Sequence, residues 1–325
     1  MRILLLLAAS ILPAAAGIKL EPAGKRLRVL IDGKLFTEYR ADGHVPCLYP
    51  VVGPSGAGLT RNFPLAPAAH GEATDHPHHR SFWTTHGSVN GIDFWTLPKD
   101  PSTRIVHRGF LGTSTTSDTA DGTTTDRAAF TVDLAWVSKG KTHLSEKRTY
   151  AITVRDNTRI VDVTSVFVAA DGDAVFGDTK EGSFALRLAP TLRIAGKVAK
   201  GHSINSEGQK DNDCWGKRAD WVAYYGPDAK GQPAVVAIMD HPSNLRHPTW
   251  WHARPYGLVA ANPFGRHNFE HRKNDKHLGD YTLKHGDSLT FTHRFLFHRG
   301  TLESADLGKV WKEFSAKPTG PAPPR

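Results

Sequence analysis

The chain has 325 residues, with 41 lysines and arginines against 32 aspartates and glutamates, a formal charge of +9, 18 histidines and only two cysteines, Cys47 and Cys214. Two cysteines exclude a disulfide-built miniature scaffold and a cysteine-rich metal site, and the dispersed basic residues form none of the runs or aromatic-interleaved stripes of a nucleic-acid groove. Beyond the first twelve residues no window approaches ~18 consecutive apolar residues, which excludes a spanning helix in the mature chain.

Residues 1–16 have the layout of a secretory leader: Met1-Arg2, an apolar run from Ile3 to Leu12, then small residues that favour cleavage after Ala16. A secreted or periplasmic protein is expected, with a retained anchor as the alternative. In an oxidising compartment Cys47 and Cys214 either pair or stay apart as buried thiols.

The mature chain reads as β structure. "RLRVLIDGKLFTEYR" is two strands about an Asp32-Gly33 turn. "AAFTVDLAWVS", "HLSEKRTYAITVRD" and "TRIVDVTSVFVAA" are rich in Val, Ile, Thr and aromatics, with "DNTR" as a tight connection. "SFALRLAPTLRI", "DWVAYYG" and "AVVAIMD" continue the pattern, and "GDYTLKHGDSLTFTHRFLFHRG" predicts one more hairpin. Helical spacing is confined to 304–316, where Leu307, Val310, Trp311 and Phe314 would share a face. The expected fold is all-β, a large antiparallel sandwich with a short C-terminal helix. One domain is expected over 17–315, followed by a proline-rich tail, 316–325.

Three stretches break the alternation. "ATDHPHHRSFWTTHG" concentrates four histidines in fifteen residues. An extended backbone there would put His76 and His78 on one face, as candidate ligands of one divalent ion, and His79 on the other. A third ligand would come from His86, His241 or His252; without it no cofactor is implied, and the histidines serve in proton transfer or as loop scaffold. "DTKEG" offers Lys180 and Glu181, which an extended segment would point to opposite faces. In "MDHPSNLRHPTWWHARPYGLVAANPF" polar, basic and aromatic side chains suited to sugar hydroxyls and rings are packed together, with "NDCWGKRADW" just before.

These segments, with "PCLYPVVGPSGAGLTRNFP", resemble the PmoA-like family of bacterial proteins over roughly residues 45–300; Ser81 stands where that pattern has glycine. The resemblance implies an exported protein linked by association to carbohydrate metabolism. The final hairpin is similar to that of galactose-mutarotase-like supersandwiches, which bind sugars on a concave sheet.

Together these readings predict a carbohydrate partner, neutral or acidic, and a glycan-degrading lyase or hydrolase. His79 and Glu181 would be the proton-transfer pair and His252 and Arg254 its electrostatic partners. Substrate contacts would come from His78, Arg80, Trp83, Asn90, Lys180, Arg187, Asn244, Arg246, Trp251, Tyr256 and Asn262. The alternatives are a mutarotase-like sugar epimerase, a non-catalytic carbohydrate-binding protein, and a metal-dependent redox protein of the kind the family's label suggests.

Overall fold

The computed structural model describes residues 17–120 and 123–318. The leader, residues 1–16, and most of the proline-rich tail lie outside the described residues. Among the described residues no helix is long and apolar enough to cross a membrane.

Two eight-stranded antiparallel sheets face each other. The first runs in the order Ile18–Ala23, Arg26–Ile31, Lys34–Arg40, Cys47–Val51, Phe82–His86, Gly182–Arg187, Leu258–Asn262 and Trp250–Trp251. The second runs His202–Asn205, Trp221–Pro227, Pro233–Asp240, Ser288–Arg299, Thr158–Ala169, Lys141–Arg155, Thr123–Ser138 and Arg104–Ala120. The expected antiparallel sandwich is the observed fold. The Asp32-Gly33 hairpin forms as expected, both residues taking positive φ.

Alternation decides which side chains meet. Phe82 and Phe184 point between the sheets, where Phe82 lies 4.1 Å from the Phe295 ring and Phe184 5.5 Å from Phe291. Each such burial contributes about 1.5–3 kcal/mol. Trp83, Ala185 and Arg187, one step out of phase, therefore face away from the second sheet. That outer face carries the loops discussed below. The outer face of the second sheet is covered instead by the C-terminal helix, whose Leu307 and Phe314 pack on Ala223, Val235, Ala237, Met239 and Leu296.

Three expectations need correction. Ser288–Arg299 does not pair with Tyr281–Leu283; it enters the middle of the second sheet, between Pro233–Asp240 and Thr158–Ala169, and Tyr281–Leu283 pairs with Ala174–Phe176 in a separate two-stranded sheet. The strand in "SFALRLAPTLRI" stops at Arg187, and Pro190–Leu192 is a 3-10 turn. The helical segment is broken at Asp306, whose φ of 42° separates Leu302–Ala305 from Leu307–Ser315. Asp306 then caps the second piece by accepting from Lys309 N at 3.3 Å. Cys47 and Cys214 are buried and unpaired.

Candidate functional site

The histidine-rich loop is organised by an arginine outside it. Arg61 is buried (1% exposed), and its guanidinium donates to the carbonyls of Ala73, Asp75 and His76 and to Asp75 Oδ1 at 2.7 Å. Five donors on a rigid fork can gather several backbone oxygens at once, which a lysine cannot do. Asp75 Oδ1 also accepts from Arg187 Nη2 at 3.0 Å, while Oδ2 pairs with His76 Nδ1 at 2.8 Å. Burial opposes ionisation of Asp75, but Arg187, His76 and Arg61 outweigh it and hold the carboxyl below its ordinary value.

The loop backbone is not extended. His76 sits at φ 45° and its carbonyl accepts from His79 N at 3.0 Å. This turn brings the His76 and His79 rings face to face at 4.8 Å and leaves His78 perpendicular to both, so the expected same-face pairing of His76 and His78 does not occur. Ser81, also left-handed at φ 62°, donates to Thr60 Oγ1 at 2.7 Å.

His79 is sealed in this stack. Its ring lies on Trp83 at 5.3 Å, and Nδ1 is 2.9 Å from Arg187 Nη1. A guanidinium can only donate, so Nδ1 carries the lone pair and His79 is the neutral Nε2–H tautomer. Burial, then the charge of Arg187, pushes its pKa far below the ordinary value. Arg187 is itself buried, and burial with Arg61 repulsion lowers its pKa to about 10.

Glu181 occupies the mouth of the site on a segment pinned on every side. Asn262 Nδ2 donates to Thr179 O at 2.9 Å, Lys180 N to Asn268 Oδ1 at 3.1 Å, Glu181 N to Thr179 Oγ1 at 3.2 Å, and Gly87 N to Glu181 O at 2.7 Å. The segment bends, and Lys180 Nζ turns back onto Glu181 Oε1, so the two side chains do not point to opposite faces as expected. Glu181 stays 31% exposed on its side chain. Its charge acts on His78, His252 and Tyr256 alike. Burial lowers His78 to about 4 and His252 to about 4, with Glu181 opposing both shifts. Both imidazoles are neutral at physiological pH.

Strand register explains the rest. His252 exchanges backbone bonds with Ala260, which lies opposite Ala185, which lies opposite Trp83. Arg254 N bonds to Leu258 O, and Leu258 is paired with Arg187. His252, Arg254, Arg187 and Trp83 thus share the outer face, with alanines as its floor. Tyr256 stacks on His76 at 5.4 Å, under Arg187 Cζ at 4.5 Å, and Arg254 Cζ lies 5.6 Å from Tyr256 and 5.9 Å from Trp215. His79, Glu181, His252 and Arg254 are therefore brought together.

Nine buried polar atoms of this neighbourhood have no hydrogen-bond partner among the described residues, on His44, Arg61, Arg80, Trp83, Trp95, Arg187, Trp215, His252 and Arg254. Native interiors leave few such groups, and their concentration marks a place built for something other than packing.

Other expected contacts serve the scaffold. Trp83 and Trp251 are 1% and 0% exposed, and Trp251 Nε1 donates to Ala219 O at 2.9 Å, so neither offers a face to a ligand. Asn244 is consumed by Asp240 and by Thr292 O, each at 2.7 Å. Arg246 caps the carbonyls of Pro263, Gly279 and Asp280. Asn90 ties Val175 N and Asp173 O. Asn262 holds Thr179 and accepts from Phe264 N. Arg80 lies against Gly43 and Cys47 beneath the loop. Among the described residues no group of three or more His, Cys, Asp or Glu side chains is arranged to hold a metal ion. Cavities of about 400 and 520 Å³ open elsewhere, around Tyr225 and Leu302 and around Lys34 and Arg159.

A profile of a family of unknown function, DUF6807, matches residues 26–312. The chain belongs to DUF6807. That match corrects the resemblance to the PmoA-like family, from whose label the redox reading came. No protein with a curated description matches this DUF6807 chain. Among solved structures, a galactose mutarotase related enzyme from Lactobacillus acidophilus aligns at 13% identity over 88% of this chain and 98% of its own, with a TM-score of 0.16, too low to bear on fold or activity.

Proposed function

We propose that this DUF6807 protein binds a carbohydrate over the outer face of its first sheet and transfers a proton on it, with Glu181 as the reactive carboxylate and His78 as its partner. The observation that carries this reading is the position of Glu181: partly exposed, rigidly backed, and felt by His78, His252 and Tyr256 at once. His78 is partly exposed, neutral, and makes no hydrogen bond to the described residues, so its N–H is free to meet an oxygen that gains charge. His79 has no such freedom and serves as a wall behind the loop. The open aromatic surface for a sugar ring comes from His76, Tyr256 and Trp215.

The other carboxylates nearby are engaged. Asp75 is held by two arginines, and Asp93 accepts from the backbone of Trp95 and Thr96. Hydrolysis with two facing carboxylates is thus less well served than a reaction begun by one carboxylate removing a proton, as in a glycan lyase or an epimerase. The test is a glycan panel assayed for both reducing ends and unsaturated products. Glu181→Gln and His78→Ala should lower turnover by about 10²–10⁴-fold while the thermal midpoint stays put. Undiminished turnover in both variants would overturn the assignment, and sugar binding without any turnover would leave a binding protein.

A further inference from the structure

We infer that the carbohydrate bears an acid group, a carboxylate or a sulfate ester, and that Arg254 receives it. This rests on the proposed sugar site and names its substrate class.

The charges around the site do not balance. Six cationic side chains surround the site: Arg61, Arg80, Arg187, Arg193, Lys180 and Arg254. Four carboxylates accompany them: Glu72, Asp75, Asp93 and Glu181. Arg193 is buried on the carbonyls of Pro190 and Gly71, and Glu72 accepts from Asn62 N and Phe63 N. Arg61 and Arg187 share Asp75, and Lys180 is paired with Glu181. Arg80 is turned beneath the loop toward Gly43 and Cys47. Arg254 alone faces the outer surface with no carboxylate bonded to it among the described residues. Its neighbours are the Trp215 and Tyr256 rings, it hydrogen-bonds the Tyr256 hydroxyl, and its buried Nε has no partner among the described residues.

Neutral His78, His79 and His252 add no charge, and His76 is tied to Asp75, so no histidine supplies a negative charge to offset the excess. The site therefore holds two positive charges in excess. A guanidinium clamped between aromatic faces loses little freedom on binding and matches the two oxygens of a carboxylate or sulfate in a fork. A neutral sugar would leave that fork unused. The aromatic neighbours of Arg254 are also the surface offered to the ring, so an acid substituent and the ring plane would be read by adjacent groups.

The experiment is binding of three oligosaccharide sets by the full mature chain: uronate-containing, sulfated, and neutral counterparts of equal length, compared for wild type, Arg254→Gln and Arg254→Lys. Wild type should prefer one acidic set by at least tenfold, with affinity falling as salt rises. Arg254→Gln should erase that preference, and Arg254→Lys should restore part of it. Preference for uronates over sulfates, or the reverse, identifies the acid group. Equal wild-type affinity for acidic and neutral sets would overturn the inference, as would an acidic preference that survives Arg254→Gln. In either case Glu181-dependent turnover of a neutral glycan would leave the proposed function standing. If no carbohydrate binds wild type, both readings fall together. A folding defect in Arg254→Gln would be exposed by its melting curve, and the preference and salt dependence of wild type against Arg254→Lys then decide the matter.

Discussion

Arg187 holds Nδ1 of His79 at 2.9 Å while its other nitrogen grips Asp75 at 3.0 Å, so one buried guanidinium fixes both the tautomer of the histidine and the conformation of the loop that carries it. His79→Ala should therefore act on stability: it opens a cavity under Trp83 and strips Arg187 of an acceptor, a loss of about 2–4 kcal/mol in urea unfolding. Unchanged unfolding alongside abolished turnover would show His79 to be chemical rather than architectural.

Arg61 should be as critical, although it lies more than ten residues before the loop. Arg61→Met removes one of the three partners of Asp75 and leaves several loop carbonyls unpaired, a loss of about 3–5 kcal/mol. Arg61→Lys should recover little of it, because one ammonium cannot reproduce the fork. Hydrogen exchange should show faster exchange of the 73–79 amides in both variants, and protection equal to wild type in Arg61→Lys would refute the organising role.

Much of the fold was legible because period-two alternation reports burial directly: Leu27, Val29 and Ile31 are all buried on the predicted strand. The pairing of Ser288–Arg299 was not, since a strand entering a sheet between distant neighbours has no local signal. For the site, the right segments stood out by composition, yet roles within them did not. Asn244 and Arg246 look like ligand contacts in sequence, but the first completes a shell around buried Asp240 and the second caps three carbonyls. Nor could alternation place the three histidines, because His76 and Ser81 adopt positive φ within six residues. Arg61 was missed because most of its partners are backbone oxygens, which carry no residue type. The one hint was an arginine in "GLTRNFP", two residues from Leu59 on one side and from Phe63 on the other.

Acid should unfold the protein early. His44, His78, His86 and His252 are each pushed to about 4, burial being the main cause. Unfolded, each takes up a proton near 6.5, so below that pH the unfolded chain binds more protons than the native one. The stability that goes with their neutral burial is complete above pH 6.5 and drains away as pH falls toward 4. For the enclosed pair His86 and His252 the loss is on the order of 3 kcal/mol each. Urea midpoints should decline steeply from pH 6.5 to 4.5, and His86→Gln should flatten the slope. A midpoint constant over that range would mean these imidazoles are not buried neutral.

The aromatic residues should separate into two classes. Tyr256 and Trp215 are partly exposed and flank Arg254. Trp83 and Trp95 are 1% and 0% exposed and form the packed backing of the histidine stack. Removing a stacking face forfeits about 0.5–1.5 kcal/mol beyond lost area, so Trp215→Ala and Tyr256→Phe should differ instructively. The first loses a whole face and should raise KM by about tenfold with kcat nearly kept, whereas the second retains its ring and should shift KM by less. Trp83→Ala, in contrast, should lower the thermal midpoint sharply, since a large core cavity is worth about 3–5 kcal/mol. If Trp83→Ala raised KM without loss of stability, or Trp215→Ala unfolded the chain without touching KM, the open and closed sides of the site would have to be exchanged.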